Sequence, residues 1–100
     1  MIRGTTPTHT FILPFSTEIV SAVRVIYKQG ETEVLCKCET DCEKDGNAIK
    51  VRLTQEETLE FDCKKDVKIQ LRVLTMGGDA LASKPRIVDV GECLNDEVLE

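Results

Sequence analysis

The sequence has no tryptophan, one tyrosine, three phenylalanines and one histidine. With Phe11, Phe15, Phe61 and Tyr27 as the whole aromatic set, the core has to be built from Val, Ile and Leu. β-Branched aliphatics of that kind suit a pleated, half-buried surface. So few rings also leave little from which to make a sugar-stacking platform. A lone histidine, His9, does not supply a multi-histidine metal site. No run approaches the roughly 20 apolar residues that span a bilayer. Residues 1–10 lack the apolar stretch of a secretory signal, which predicts a protein made and kept in the cytosol or exported by another route. Positive charge is short as well. Thirteen Lys and Arg against 18 Asp and Glu leave a net charge of −5, the wrong sign for displacing counterions from nucleic acid or for settling on an anionic membrane. No glycine-rich loop follows a strand and opens a helix; Gly77-Gly78 is placed as a hairpin tip, not a phosphate cradle. Internal repeats, linkers and low-complexity stretches are absent.

What is present is alternation. A chain of 100 residues, 41% hydrophobic and 31% charged, is sized and composed for one domain, residues 1–100, over a single modest core. Residues 8–13 set His9, Phe11 and Leu13 on one face and Thr8, Thr10 and Ile12 on the other, until Pro14 ends the ladder for want of an N–H. Residues 19–28 group Ile19, Val23, Val25 and Tyr27 against Arg24 and Lys28. Gln29-Gly30 then turns the chain into 32–38, with Val34, Cys36 and Cys38 sharing one face and Glu33, Lys37 and Glu39 the other, Leu35 among them. Residues 41–47 are polar and close on Asp45-Gly46-Asn47, a turn signal. The two cleanest strands follow. Ile49, Val51 and Leu53 alternate with Lys50, Arg52 and Thr54; Val67, Ile69, Leu71 and Val73 alternate with Lys68, Gln70 and Arg72. That pattern belongs to sheets dry on one side and wet on the other. Between them, Thr54 and Glu57 have capping-box spacing, predicting one helical turn near 55–58, after which Leu59 and Phe61 return to the core. Residues 80–90 form the last strand or pair of strands, broken by Pro85. Residues 1–7 are placed as an extended arm and 92–100 as a loose acidic tail. About seven short strands at close spacing predict an all-β fold, an antiparallel immunoglobulin-like β-sandwich, with a small barrel as the alternative.

The chemistry-bearing residues read blandly. Cys36 and Cys38 lie two apart on a strand, so their backbones stand roughly 7 Å apart at about 3.3 Å per residue, too extended for a zinc knuckle. Together with Cys42, Cys63 and Cys93 they make an odd set of five, which argues against a disulfide framework; Cys36 and Cys38 are expected as small core residues. A thiol nucleophile needs a nearby base, and nothing in the sequence sets His9 beside a cysteine. Glu31, Glu33, Glu39, Asp41, Glu43 and Asp45 gather around one hairpin. They lack the distal Glu of an EF-hand loop and read as a solvated, charged turn. No catalytic, cofactor-binding or metal-binding residue is therefore assigned, and no cofactor is expected. Lys50, Arg52, Lys68, Gln70 and Arg72, on two strands read as sharing a sheet, form a basic stripe that either pairs across strands or marks a face for a partner subunit.

Four segments taken together are more specific: residues 3–11 (Arg-Gly-Thr-Thr-Pro-Thr-His-Thr-Phe), 53–59 (Leu-Thr-Gln-Glu-Glu-Thr-Leu), 69–75 (Ile-Gln-Leu-Arg-Val-Leu-Thr) and 80–83 (Ala-Leu-Ala-Ser). In this order, across almost the whole chain, they resemble a group of small proteins encoded in phages and prophages of Firmicutes, in the tail-gene neighbourhood. The resemblance implies a non-enzymatic virion tail or baseplate component, or an assembly accessory. Its partners would be other phage structural proteins or further copies of itself, in the cytoplasm of the bacterial host during assembly and then in the virion. The cysteines form no part of the resemblance. On the residues alone, the Thr-rich start, Thr5, Thr6 and Thr8, suits strand addition to a neighbour's sheet. A receptor- or carbohydrate-binding module and a small cysteine-based metal-binding protein are the alternatives.

Overall fold

The structure, a computed structural model, describes residues 1–100. The period-two runs become eight strands: β1 (Thr8–Ile12), β2 (Val20–Gln29), β3 (Thr32–Cys38), β4 (Cys42–Asp45), β5 (Ala48–Arg52), β6 (Val67–Thr75), β7 (Ala80–Ala82) and β8 (Arg86–Val88). One short helix, α1 (Gln55–Leu59), joins β5 to β6. It begins as the spacing predicts. The Thr54 hydroxyl accepts from the Glu57 amide at 3.2 Å and the Glu57 carboxylate accepts from the Thr54 amide at 2.9 Å, so two of the orphan donors at the helix start are satisfied.

The strands form two antiparallel sheets, one ordered β1-β5-β4 and the other β3-β2-β6, with β7 and β8 both along the far edge of β6. Taking β1 as strand B, these are the B-E-D and C′-C-F-G orders of the immunoglobulin-like sandwich. The eighth strand is β4. The polar segment 41–47 sets two residues on the inward side, Cys42 opposite Val51 and Lys44 opposite Ile49; the Lys44 ammonium donates across to the Val20 carbonyl of the larger sheet at 3.1 Å, while Glu43 and Asp45 lie on the outer face. Turn glycines fall where expected: Gly30, Gly46 and Gly78 all have positive φ, which a residue without Cβ adopts freely.

The core lies between the sheets. Phe11, Ile49, Val51 and Leu53 come from one side, and Val23, Val25, Tyr27, Val67, Ile69, Leu71 and Val73 from the other, closed at one end by Phe61. Across β2 and β6 the inward pairs are Val23–Val73, Val25–Leu71 and Tyr27–Ile69. β2 thus carries the buried aromatic that immunoglobulin domains place on strand C. Ile19 is not in this row. The register shifts between Val20 and Ala22; the extra residue moves Val20 into the core and leaves Ile19 in an exposed 3-10 turn, as a bulge does by reversing the faces that follow it.

Two other expectations change. Residues 1–7 are bound to their own domain. The Met1 ammonium donates to the Asp89 carbonyl at 2.9 Å, Ile2 bridges Gly91 in parallel, and the Arg3 side chain donates to the Leu59 carbonyl at 2.7 Å. Strand A of the immunoglobulin order is therefore not formed beside β1. Residues 92–100 have no regular structure but are tethered: Gln55 exchanges two hydrogen bonds with the Leu99 backbone at 3.0 and 2.8 Å, and Asp96 pairs with Arg3 at 3.0 Å.

Candidate interaction surface

The basic stripe read from the sequence is two separate surfaces. β5 and β6 lie in different sheets, so Lys50 and Arg52 face away from Lys68, Gln70 and Arg72. The connection through α1 crosses the sandwich, and alternation within each strand carries no information on which sheet that strand joins. Lys50 and Arg52 are also spent locally. The Lys50 ammonium lies 3.2 Å from the Asp45 carboxylate, and the Arg52 guanidinium donates to the Thr6 hydroxyl at 3.3 Å. The Thr5 hydroxyl donates to the Ile2 carbonyl at 2.6 Å while its own carbonyl accepts from buried Thr58. Thr8 stands exposed opposite Arg52.

On the outer face of the larger sheet, β2 and β6 place Arg24 opposite Arg72, Ile26 opposite Gln70, and Lys28 opposite Lys68. Both charged rows are like-charged, a pairing that weakens a sheet. Arg24 is partly neutralised by Glu39 at 2.7 Å. Lys28, Lys68 and Arg72 form no ion pair. Gln70 has a structural role: its amide donates to the Ser83 carbonyl at 2.9 Å, bridging the gap that Pro85 leaves between β7 and β8. The surface that remains is a row of cations around Ile26 on a chain of net charge −5.

Cys36 and Cys38 border this surface, opposite Ile26 and Arg24. They are not core residues. The inward positions of β3 belong to Leu35 and Lys37, opposite Tyr27 and Val25, and Lys37 reaches the Glu57 carboxylate of α1. The alternation expected for β3 holds from Leu35 to Cys38 with the core assigned to the wrong face, because a lysine with its stem in the core and its head on a carboxylate reads as a wet-face residue; before Leu35 a register shift sets Glu33 opposite outward-facing Lys28 and leaves Val34 packed against the core. Partial burial pushes the Glu57 carboxyl up, but Lys37 and the Thr54 amide outweigh it and hold it below its ordinary value.

The remaining ionisable groups are arranged for structure. His9 Nδ1 lies 2.7 Å from the Tyr27 hydroxyl. Burial lowers the pKa of His9 and raises that of Tyr27, so the pair is a neutral imidazole accepting from a phenol. Cys42 and His9 flank Val51 on opposite sides of β5, two strand spacings or about 10 Å apart at the backbone. Burial raises the Cys36 and Cys42 thiols, opposite to the shift that makes a thiolate nucleophile. Glu39 and Asp41 are held below their ordinary values chiefly by backbone amides, Val23 contributing to the first and Cys38 to the second. No three Cys, His, Asp or Glu side chains converge as metal ligands. Phe11, Tyr27 and Phe61 are buried and Phe15 half-buried, so no aromatic platform faces solvent. No helix is long and apolar enough to cross a membrane.

Comparison with models of known protein families, with curated proteins and with solved structures finds no match for the chain.

Proposed function

We propose that this chain is a non-enzymatic phage or prophage structural or assembly protein, a tail or baseplate component that works through contacts with other subunits. The observation that carries the reading is the outer face of β2 and β6, where Arg24 meets Arg72 and Lys28 meets Lys68 on an acidic chain. Like charges set directly opposite cost stability in the free protein, and an acidic partner surface laid over them removes that cost and adds attraction across the interface. A net negative chain with four such cations is suited to an acidic protein surface rather than to a polyphosphate, which needs a broader basic field. The four-segment resemblance supplies the tail setting, and with it assembly in the host cytoplasm.

Mass spectrometry of purified particles and of assembly intermediates tests the reading, with the chain expected at a fixed ratio to the other tail proteins. The double substitution K68E/R72E should block incorporation without altering the fold. Absence of the chain from particles and intermediates alike would falsify the proposal, as would normal incorporation of the double variant.

A further inference from the structure

β1 is an edge strand with one side unpaired. Pro7 pairs with the Leu53 amide and Leu13 with the Asn47 carbonyl, which makes the odd-numbered residues of β1 the ones bonded to β5. The backbone groups of Thr8, Thr10 and Ile12 therefore point to the open side. β7, bonded only to β6, is the facing edge of the other sheet. Between the two edges runs a groove of about 370 Å³, lined on one wall by Phe11, Leu13 and Phe15 and on the other by Leu71, Val73 and Leu81. It opens where strand A of an immunoglobulin-like sandwich would lie. Ile12 is 68% and Leu81 45% exposed at its lip. Its one charged lining residue is Arg86. That guanidinium stacks 4.9 Å from the centre of the Phe11 ring and donates to the Thr10 carbonyl at 3.3 Å, the place an incoming backbone amide would take.

The same sequence contains a segment of matching pattern. In 92–100, Leu94, Asp96 and Val98 share one face of an extended chain, an acid two residues from an exposed leucine, against a groove whose apolar walls end at Arg86. Leu94 is 99% exposed and Leu99 73%, and residues 92–100 include four carboxylate side chains and no cation. The tail rests at the α1 end of its own domain, on Gln55 and on the Arg3–Asp96 pair, whereas the groove lies toward the Ile12 end of β1, so Asp96 reaches a groove only by exchanging Arg3 for the Arg86 of a second copy.

We propose that residues 92–100 of a second copy add as an antiparallel strand along the open edge of β1, with Leu94 in the groove and Asp96 on Arg86. The carboxylate draws Arg86 off the Thr10 carbonyl and frees that acceptor for the added strand, a β-augmentation between copies. This surface is distinct from the cationic face of β2 and β6, so the two readings stand or fall separately.

Sedimentation of the full chain under reducing conditions tests it. The wild-type chain should dimerise with rising concentration. L81E, which closes the groove, and L94D, which disables the tail, should each be monomeric with the wild-type circular dichroism spectrum. An equimolar mixture of the two should recover a one-to-one dimer, since one supplies an intact tail and the other an intact groove. A synthetic peptide of residues 92–100, which needs no variant to fold, should dissociate the wild-type dimer. A wild-type chain that stays monomeric overturns the proposal. So does a tail variant that dimerises like the wild type, a mixture that remains monomeric, or a peptide without effect.

Discussion

Replacing Arg72 by glutamate should stabilise the protein. Arg72 is exposed, lies directly opposite Arg24 and has no carboxylate partner. Opposed side chains in an antiparallel pair have Cβ atoms about 5 Å apart, and taking roughly 6 Å as the closest approach of the two guanidinium groups sets an upper bound on their repulsion. At that separation two unit charges in water interact by about 0.7 kcal/mol. Arg72→Glu removes a repulsion of that size and substitutes an attraction, a swing of at most about 1.4 kcal/mol. Glu39 already sits on Arg24 at 2.7 Å and offsets part of the repulsion, which brings the expected gain to about 0.5–1 kcal/mol, within the range for cross-strand charge pairs. Urea titration at low salt measures it, and repetition at high salt supplies the control. The Debye length shrinks to about 3 Å at 1 M salt, so the gain should mostly vanish there. A gain that is independent of salt would point to packing. A loss of stability at low salt would refute the claim that the two arginines repel, and with it the argument that this face is kept for a partner at a cost to the free protein.

Three further outcomes follow from the same structure. Burial holds the His9 pKa below its unfolded value of 6.5, so the unfolded state binds the proton first as pH falls. Stability should be full above about pH 7.5, decline below about pH 6.5 at no more than about 1.4 kcal/mol per pH unit, and level off below the folded-state pKa; urea midpoints from pH 5 to 8 should show this step in the wild type and lose it in His9→Gln. Cys36 is the one exposed thiol, the other four being half-buried, so brief alkylation of the native protein should label it first, as read by peptide mass spectrometry. Because burial and then Glu33 raise its pKa, the rate at neutral pH should fall below that of an unstructured cysteine peptide. Thr54→Ala removes the hydroxyl that caps α1 and should cost about 1 kcal/mol in chemical denaturation, while Thr54→Ser should restore most of it.

How much of this was legible beforehand can be traced residue by residue. The inward rows of β1, β5 and β6, the capped turn at Thr54 and the stops at Pro14 and Pro85 all came from local rules. Each depends on side-chain period, on a cap three residues away or on a missing N–H, and none requires knowledge of a distant neighbour. The errors occur where a local rule has two outcomes. Cys36 and Cys38 alternate with Leu35 and Lys37, and period two separates the faces without saying which is dry; Lys37 faces inward because Glu57, from a helix 20 residues later, waits for its ammonium. Ile19 lost its place to a single extra residue at the start of β2. The candidate surface was half legible. Lys68 and Arg72 were singled out, but Arg24 and Lys28, which make the row like-charged, emerge only from the register between β2 and β6.

The sequence by itself determined that this is a β-sandwich with a Val, Ile and Leu core, where most of its strands begin and end, and that its net charge is −5. These follow from composition and short-range periodicity, which are properties of the chain alone. Tertiary structure decided which strands share a sheet, and so separated Lys50 and Arg52 from Lys68 and Arg72. It bound the first seven residues to the domain instead of leaving them as an arm, and it left β1 with an open edge above an apolar groove. Sheet membership, register and edge exposure are relations between segments far apart in sequence. They are set by the best joint burial of all the inward rows at once, which no single strand encodes.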